Sequence, residues 1–183
     1  GALSSAASDV YKRQLLVQSR MDALTKICNR GYGEAQIEKL LKAKKNGMFL
    51  LFDVDKFKHI NDTYGHSIGD EVLIQVADAL KQTFEQAGVC MRLGGDEFAV
   101  YAPEITEQMQ AETMIQAFFE RIRNIAIPQM EGDAISVSLG AVLCAPDREH
   151  VFEKVYQRAD ATMYTCKKVI GNSYDFYTGR NPA

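Results

Sequence analysis

No stretch of this sequence approaches the ~20 consecutive apolar residues of a membrane-spanning helix, and its start shows no signal-peptide hydrophobic region. The chain is therefore expected to be a soluble, cytoplasmic piece that makes no membrane contact itself, whatever anchors a longer parent. There is no surplus of either charge: 21 lysines and arginines stand against 24 aspartates and glutamates, a formal net charge of −3. That rules out a broad basic surface and, with it, tight non-specific binding to nucleic acid, while local basic sites stay open. Cys28, Cys90, Cys144 and Cys166 lie far apart without the pair spacing of a zinc site, so reduced thiols packed in the core are expected. There is no internal repeat and, after residue 8, no low-complexity segment. What remains is 183 residues with 46% hydrophobic content, enough for one domain with its own core.

Residues 1–21 stand apart from that domain. Gly1 to Ser8 is a run of small residues, and Asp9 to Gln14 back-translate to a transposon-end sequence used in DNA-library preparation. This segment is expected to be non-native or an upstream linker, with Leu15 to Met21 the end of an arriving helix. Asp22 to Arg30 has no periodicity but carries Asp, Thr and Asn, which make local backbone hydrogen bonds, so a structured loop is expected. Ile37, Leu40 and Leu41 mark a helix closed by Lys42 to Gly47. Met48 to Phe52 is apolar on both faces, as a strand covered on both sides must be, and runs into Asp53-Val54-Asp55.

Phe57 to Tyr64 reads as a short helix or turn, Gly65 to Asp70 as a glycine-punctuated loop, and Val72 to Phe84 as a long amphipathic helix. Cys90 to Leu93 and Phe98 to Tyr101 flank Gly94-Gly95-Asp96-Glu97 as a hairpin. A helix over Thr106 to Ile125 comes next, its Met114, Ile115, Phe118 and Phe119 stripe belonging to the core. Ile135, Val137 and Leu139 alternate with small residues as a half-buried strand. Val151 to Lys168 is a last helix and Tyr174 to Tyr177 a last strand. This order predicts an α/β (α+β) sandwich, with a central mixed, mostly antiparallel five-stranded sheet flanked by helices.

Taken alone, Gly-Gly-Asp-Glu is first of all a solubilising turn. If the strand ending in Asp53 lies beside the hairpin, however, Asp53, Asp96 and Glu97 meet at one sheet edge. Clustered carboxylates raise each other's pKa, and divalent cations relieve the repulsion. Mg²⁺ takes one or two carboxylates together with substrate phosphates and water, which points to metal-assisted phosphoryl or nucleotidyl transfer.

From Asp22 to Asn172 the chain resembles the GGDEF family of diguanylate cyclases. The resemblance rests on Asp22-x-Leu24-Thr25 with Asn29-Arg30, and on Phe52-Asp53-Val54-Asp55-x-Phe57-Lys58-x-Ile60-Asn61-Asp62 followed by Gly65-His66 and Gly69-Asp70. It continues through Arg92-x-Gly94-Gly95-Asp96-Glu97-Phe98, Ser138-x-Gly140 and Ala159-Asp160-x-x-Met163-Tyr164-x-x-Lys167. It implies a fold like nucleotidyl cyclases and polymerase palms, a domain over 22–178 with a tail at 179–183, and condensation of two GTP into cyclic di-GMP and pyrophosphate. Two Mg²⁺ per site, or Mn²⁺ in their place, are implied on Asp53, the Val54 carbonyl and Asp96, with Glu97 adjoining them. Asp96 and Glu97 are the implied candidates for removing the 3′-hydroxyl proton. Asn61 and Asp70 are implied to read guanine, with His66 as a further substrate contact. Gly94 and Gly95 would admit the nucleotide, and Lys58 and Lys167 would face its phosphates. A homodimer is implied because the product joins two nucleotides, with the upstream sensor domain lying outside this chain.

Plainer expectations stand beside these. Asp55 is expected to cap the helix that follows, and Ser138-x-Gly140 to mark a close backbone approach rather than a catalytic serine. Lys167 either compensates a helix dipole or binds phosphate. The sequence departs from the family twice. Lys168 to Asn172 lacks the arginine of the family's Gly-Arg-Asn, and Glu85 to Gly88 lacks the charges of its product-inhibition site. The missing arginine keeps open an alternative, a weak or inactive domain that binds GTP as a signalling module.

Overall fold

The computed structural model describes residues 1–146 and 148–179. Its centre is β1 (Gly47–Val54), buried along its whole length. β1 pairs antiparallel with β3 (Glu97–Pro103) on one side and with β4 (Val137–Cys144) on the other. β2 (Val89–Gly94) pairs antiparallel with β3, and β5 (Ser173–Phe176) runs parallel to β4, completing the order β2-β3-β1-β4-β5. The expected mixed, mostly antiparallel five-stranded sheet is present.

β1 needs apolar side chains on both faces because helices cover both. Met48, Leu50, Phe52 and Val54 pack with α4 (His66–Phe84) and α5 (Gln108–Arg123), joined by Ile60 of α3 (Phe57–Tyr64). Phe49 and Leu51 point the other way, into a cluster with Ile37 and Leu41 of α2 (Arg30–Lys42) and Phe152, Val155, Ala159 and Met163 of α6 (Phe152–Cys166). Phe52 stacks on Phe98 at 5.2 Å and meets Phe118 at 5.0 Å. Burying each such side chain contributes roughly 1.5–3 kcal/mol. Of the four free cysteines, Cys90, Cys144 and Cys166 are buried and Cys28 is half-buried.

Several local expectations are corrected. Residues 65–70 are not a loop: Gly65, at φ 89°, alone separates α3 from α4, and the helix runs on through Gly69. Asp55 does not cap α3. Lys56 holds that position in a left-handed conformation, and Asp55 is engaged across the sheet. β4 is buried on both faces because α6 lies on the side expected to meet solvent. There Gly140 permits the close approach expected of it, since a Cβ would come within 2.1 Å of the Ala159 carbonyl oxygen. α2 is closed by Lys44 at φ 52°, its amide bonded to Leu41, while Gly47 opens β1 against the Ala102 carbonyl.

Upstream, the residues expected to end an arriving helix do so: α1 runs as one helix over Ala2–Arg20, and it buries no residue. It joins the domain at its end. The Asn29 amide donates to Arg20 O and its side chain to Ser19 O, both at 2.8 Å, and the Arg20 guanidinium lies 5.0 Å from the Tyr32 ring centroid. Of the expected tail at 179–183, residues 180–183 lie outside the described residues.

Candidate active site

The sheet brings Asp53, Glu97 and Ser138 into register. Asp53 is directly opposite Glu97 on one neighbouring strand and Ser138 on the other, so all three project from the face that α2 and α6 cover. The hairpin tip is tied to the same place, because the Val54 amide donates to Asp96 O at 3.2 Å. Its two glycines are required by conformation: Gly94 has φ 147° and Gly95 φ 52°, values that side-chain-bearing residues adopt only with strain.

The tip is braced from below. Arg92 donates through Nε and Nη2 to the Gly95 carbonyl at 3.0 and 2.8 Å, and its Nη1 lies 3.2 Å from Asp22 Oδ2. Asp22 also accepts from the Thr25 amide at 2.9 Å and the Thr25 hydroxyl at 2.7 Å. Burial pushes the Asp22 carboxyl up, but the Thr25 donors and Arg92 outweigh it and its pKa lies below the ordinary value. The expected structured loop is thus the anchor of the signature hairpin.

At the floor of the site Asp53 is buried. Lys167 Nζ, at the end of α6, lies 2.6 Å from Asp53 Oδ2, while Asp53 Oδ1 is buried without a hydrogen-bond partner. Burial drives the Asp53 pKa up, Lys167 opposes it, and the charges of Asp96 and Asp55 add to the rise. Asp96 is also raised, first by burial; its own backbone hydrogen bond, Lys167 and Arg92 oppose this, and Asp55 adds to it. Lys167 is raised in turn by its bond to Asp53. Burial thus outweighs the ion pair at the enclosed carboxylate, while the more exposed ammonium gains from it.

Asp55 is held between two serine hydroxyls, Ser136 Oγ at 2.5 Å and Ser138 Oγ at 2.6 Å. Both its oxygens are engaged, so it contributes charge to Asp53 and Asp96 rather than a free ligand. Glu97 turns to α6, where the Tyr156 hydroxyl donates to its Oε1 at 2.6 Å. Burial and the Glu97 carboxylate both raise the Tyr156 pKa.

Among the described residues no group of three or more His, Cys, Asp or Glu side chains is already gathered as a metal cage. A small hard cation is nonetheless suited to the place. An unpartnered buried carboxylate oxygen is costly, two carboxylates with raised pKa await a positive charge, and a lysine ammonium supplies one. Two carboxylates open to substrate phosphates are what Mg²⁺ prefers.

The other predicted residues lie on α3 and α4. Asn61 packs so closely against Gly69 that a Cβ there would fall 1.8 Å from Asn61 Oδ1, a buried oxygen with no partner. Asp70, His66 and Lys58 are exposed nearby in sequence. No hydrogen bond or ion pair among the described residues links them to Asp53 or Asp96. Lys167 does join the carboxylates, beyond the alternatives of dipole or phosphate. The missing arginine leaves Val169 and a fully exposed Ile170 beside it, and Asn172 accepts from the Val137 amide at 2.9 Å.

Sequence reasoning did not single out Tyr156. Its one signal was spacing, since it lies three helical turns before Lys167 on α6 and shares a face with it.

The family described as "Diguanylate cyclase, GGDEF domain" matches residues 19–173. Diguanylate cyclase DosC of Escherichia coli is 36% identical over 160 residues, covering 81% of this chain and 33% of its own length. Probable diguanylate cyclase DgcC of the same organism is 31% identical over 169 residues, covering 88% and 44%. The chain thus spans less than half the length of these curated relatives. Among solved structures, the GGDEF domain of TpbB (YfiN) from Pseudomonas aeruginosa is 27% identical with a TM-score of 0.76, covering 86% of this chain and 94% of that one. The coiled coil and GGDEF domain of DgcB from Caulobacter crescentus, in complex with c-di-GMP, reaches 0.82 at 23% identity over 96% and 97%, a likeness of fold. Order of motifs, sheet topology and the carboxylates at the hairpin agree: this chain belongs to the diguanylate cyclase GGDEF-domain family.

Proposed function

We propose that the domain condenses two GTP into cyclic di-GMP and pyrophosphate, working as a homodimer in which each subunit holds one nucleotide. The observation that carries this reading is the unpartnered buried oxygen of Asp53 beside Asp96 and Lys167. Asp53, the Val54 carbonyl and Asp96 would hold two Mg²⁺, or Mn²⁺ in their place. When bound, these ions supply Lewis-acid stabilisation of charge on the phosphates.

The chain's own residues do the rest. Gly94 and Gly95 leave the backbone open to the nucleotide, and Lys58 and Lys167 offset charge building on the leaving pyrophosphate. Asn61 and Asp70 read the guanine edge: a carboxylate accepts from N1–H and the exocyclic amine, and an amide both donates and accepts. His66 is a further contact on the same side. The 3′-oxygen of one ribose bonds to the α-phosphorus of the facing GTP as the bond to the β-phosphate oxygen breaks. The hydroxyl proton passes to Asp96 or Glu97, and the second half-reaction closes the ring.

A second reading is favoured by one observation, the exposed Val169-Ile170 where the family carries a phosphate-contacting arginine. It makes the domain a GTP-binding signalling module with weak or no turnover. Incubation of the purified chain with GTP and Mg²⁺ at high protein concentration, with products resolved by chromatography, separates the two. Cyclic di-GMP is expected, and its absence from a demonstrably dimeric preparation would sink the catalytic reading in favour of the module.

A further inference from the structure

β1 hands the chain to α3 through one sharply turned residue. Lys56 sits in the left-handed region at φ 53° and ψ 35°, a strained conformation for a lysine that persists only where its neighbours are held. Three contacts hold the residue before it. The Asp55 amide donates to the Ser136 carbonyl at 2.9 Å, the Ser136 hydroxyl donates to Asp55 Oδ2 at 2.5 Å, and the Ser138 hydroxyl donates to Asp55 Oδ1 at 2.6 Å. Ser138 lies on β4 and Ser136 just before it, at the spacing that puts side chains on one face of an extended chain. Ser138 is fully buried and sits opposite Asp53 in the register. Its single hydroxyl proton nevertheless goes to Asp55, and Asp53 Oδ1 has no partner.

The direction of the Val54 carbonyl follows from these contacts. The peptide joining Val54 to Asp55 is planar and trans, so its carbonyl points opposite to its N–H, which is directed to Ser136. The Val54 amide faces the other side, toward Asp96 O at 3.2 Å, and in extended backbone the N–H and C=O of one residue share a side. Both routes turn the Val54 oxygen toward the hairpin that carries Asp96. We propose that Ser136 and Ser138 are positioning residues: acting through Asp55, they lock the Val54–Asp55 peptide so that the Val54 carbonyl stays aimed at the metal ions. The inference rests on the metal-dependent reading above and extends it to Ser138-x-Gly140, a motif whose glycine serves helix packing and whose serine that reading left without a role.

The test is Mn²⁺ binding to the nucleotide-free protein with its valines ¹³C-labelled at the carbonyl. Electron paramagnetic resonance of the free ion gives the affinity, and the ¹³C hyperfine coupling to bound Mn²⁺ reports a ligating valine carbonyl. Val54→Ile, which removes the label but keeps the carbonyl, assigns that coupling to position 54. Ser136→Ala combined with Ser138→Ala should weaken Mn²⁺ binding about tenfold to a hundredfold, the usual cost of losing an outer-shell partner, and should remove the coupling. Ser136→Thr keeps a hydroxyl and should bind as the wild type does. If the double variant does not fold, Ser136→Ala set against Ser136→Thr carries the same comparison. Affinity equal to the wild type, weakened affinity with the coupling intact, or a wild type without the coupling overturns the proposal. Asp53→Asn reads the underlying assignment separately. If it abolishes binding while the serine variants change nothing, only the role of the serines falls; if it leaves binding intact, the metal site itself and everything resting on it fall together.

Discussion

Replacing Arg92 by methionine tests how the signature hairpin is held. The substitution keeps a similar unbranched stem but removes three contacts, one ion pair to Asp22 and two hydrogen bonds to the Gly95 carbonyl. The magnitude turns on exposure. A surface ion pair contributes about 0–1 kcal/mol, and breaking a buried one costs about 3–5 kcal/mol. The Arg92 and Asp22 side chains are 15% and 22% exposed, which places the pair between these limits, nearer the buried one. A loss of about 2–3 kcal/mol is expected. For a chain of 183 residues that lowers the melting temperature by about 4–12 °C. Urea unfolding at pH 7, with an unchanged slope and a lower midpoint, measures it.

The pH dependence follows from Asp22. Its folded pKa lies below the ordinary 3.8, so its contribution is fully present above that value and is lost as pH falls through the folded pKa. The gap between the wild type and Arg92→Met should therefore close in acid. A variant melting within about 1 °C of the wild type, or effects of Arg92→Met and Asp22→Asn that simply add, would refute the brace.

Asp53→Asn should stabilise the metal-free protein at neutral pH while abolishing product formation. The Asp53 pKa is raised in the fold, chiefly by burial, so the native state binds its proton more tightly than the unfolded chain. Stability then falls as pH rises from 3.8 through the raised value and stays flat above it. Lys167, 44% exposed, loses a partner at small cost because water screens it. Urea midpoints between pH 4 and 7 should show a shallower decline in the variant, and an equal decline would count against the reading. Asp70→Ser should relax the preference for GTP over ATP in competition assays, since it removes the acceptor for guanine N1–H and the exocyclic amine. Unchanged selectivity would dismiss Asp70 as a base reader.

The sequence by itself determined the order of elements, because each depends on a local pattern. β1 had to be central, since Met48 to Phe52 is apolar on both faces and only helices on both sides can cover such a strand. The Gly94-Gly95 corner had to turn, and the family motifs named the chemistry. Gly140 was legible as a close approach before its neighbour on the covering helix, the Ala159 carbonyl, was known.

Only the tertiary structure decided what the side chains of the site do, because their partners are distant in the chain. Asp55 looked like a helix cap, yet its oxygens are held by serines 81 and 83 residues away. Gly65 to Asp70 looked like a loop because glycines usually break helices, but Gly69 is where α4 must make room for Asn61. Tyr156 carried no signal beyond its phase with Lys167, and its partner Glu97 lies 59 residues earlier. A hydrogen bond of that kind is set by how α6 settles over β4 and β1, a consequence of burying Phe152, Val155 and Ala159 against Phe49 and Leu51. Local pattern thus chose the carboxylates; the packing of one helix over the sheet decided which of them meets a lysine and which a tyrosine.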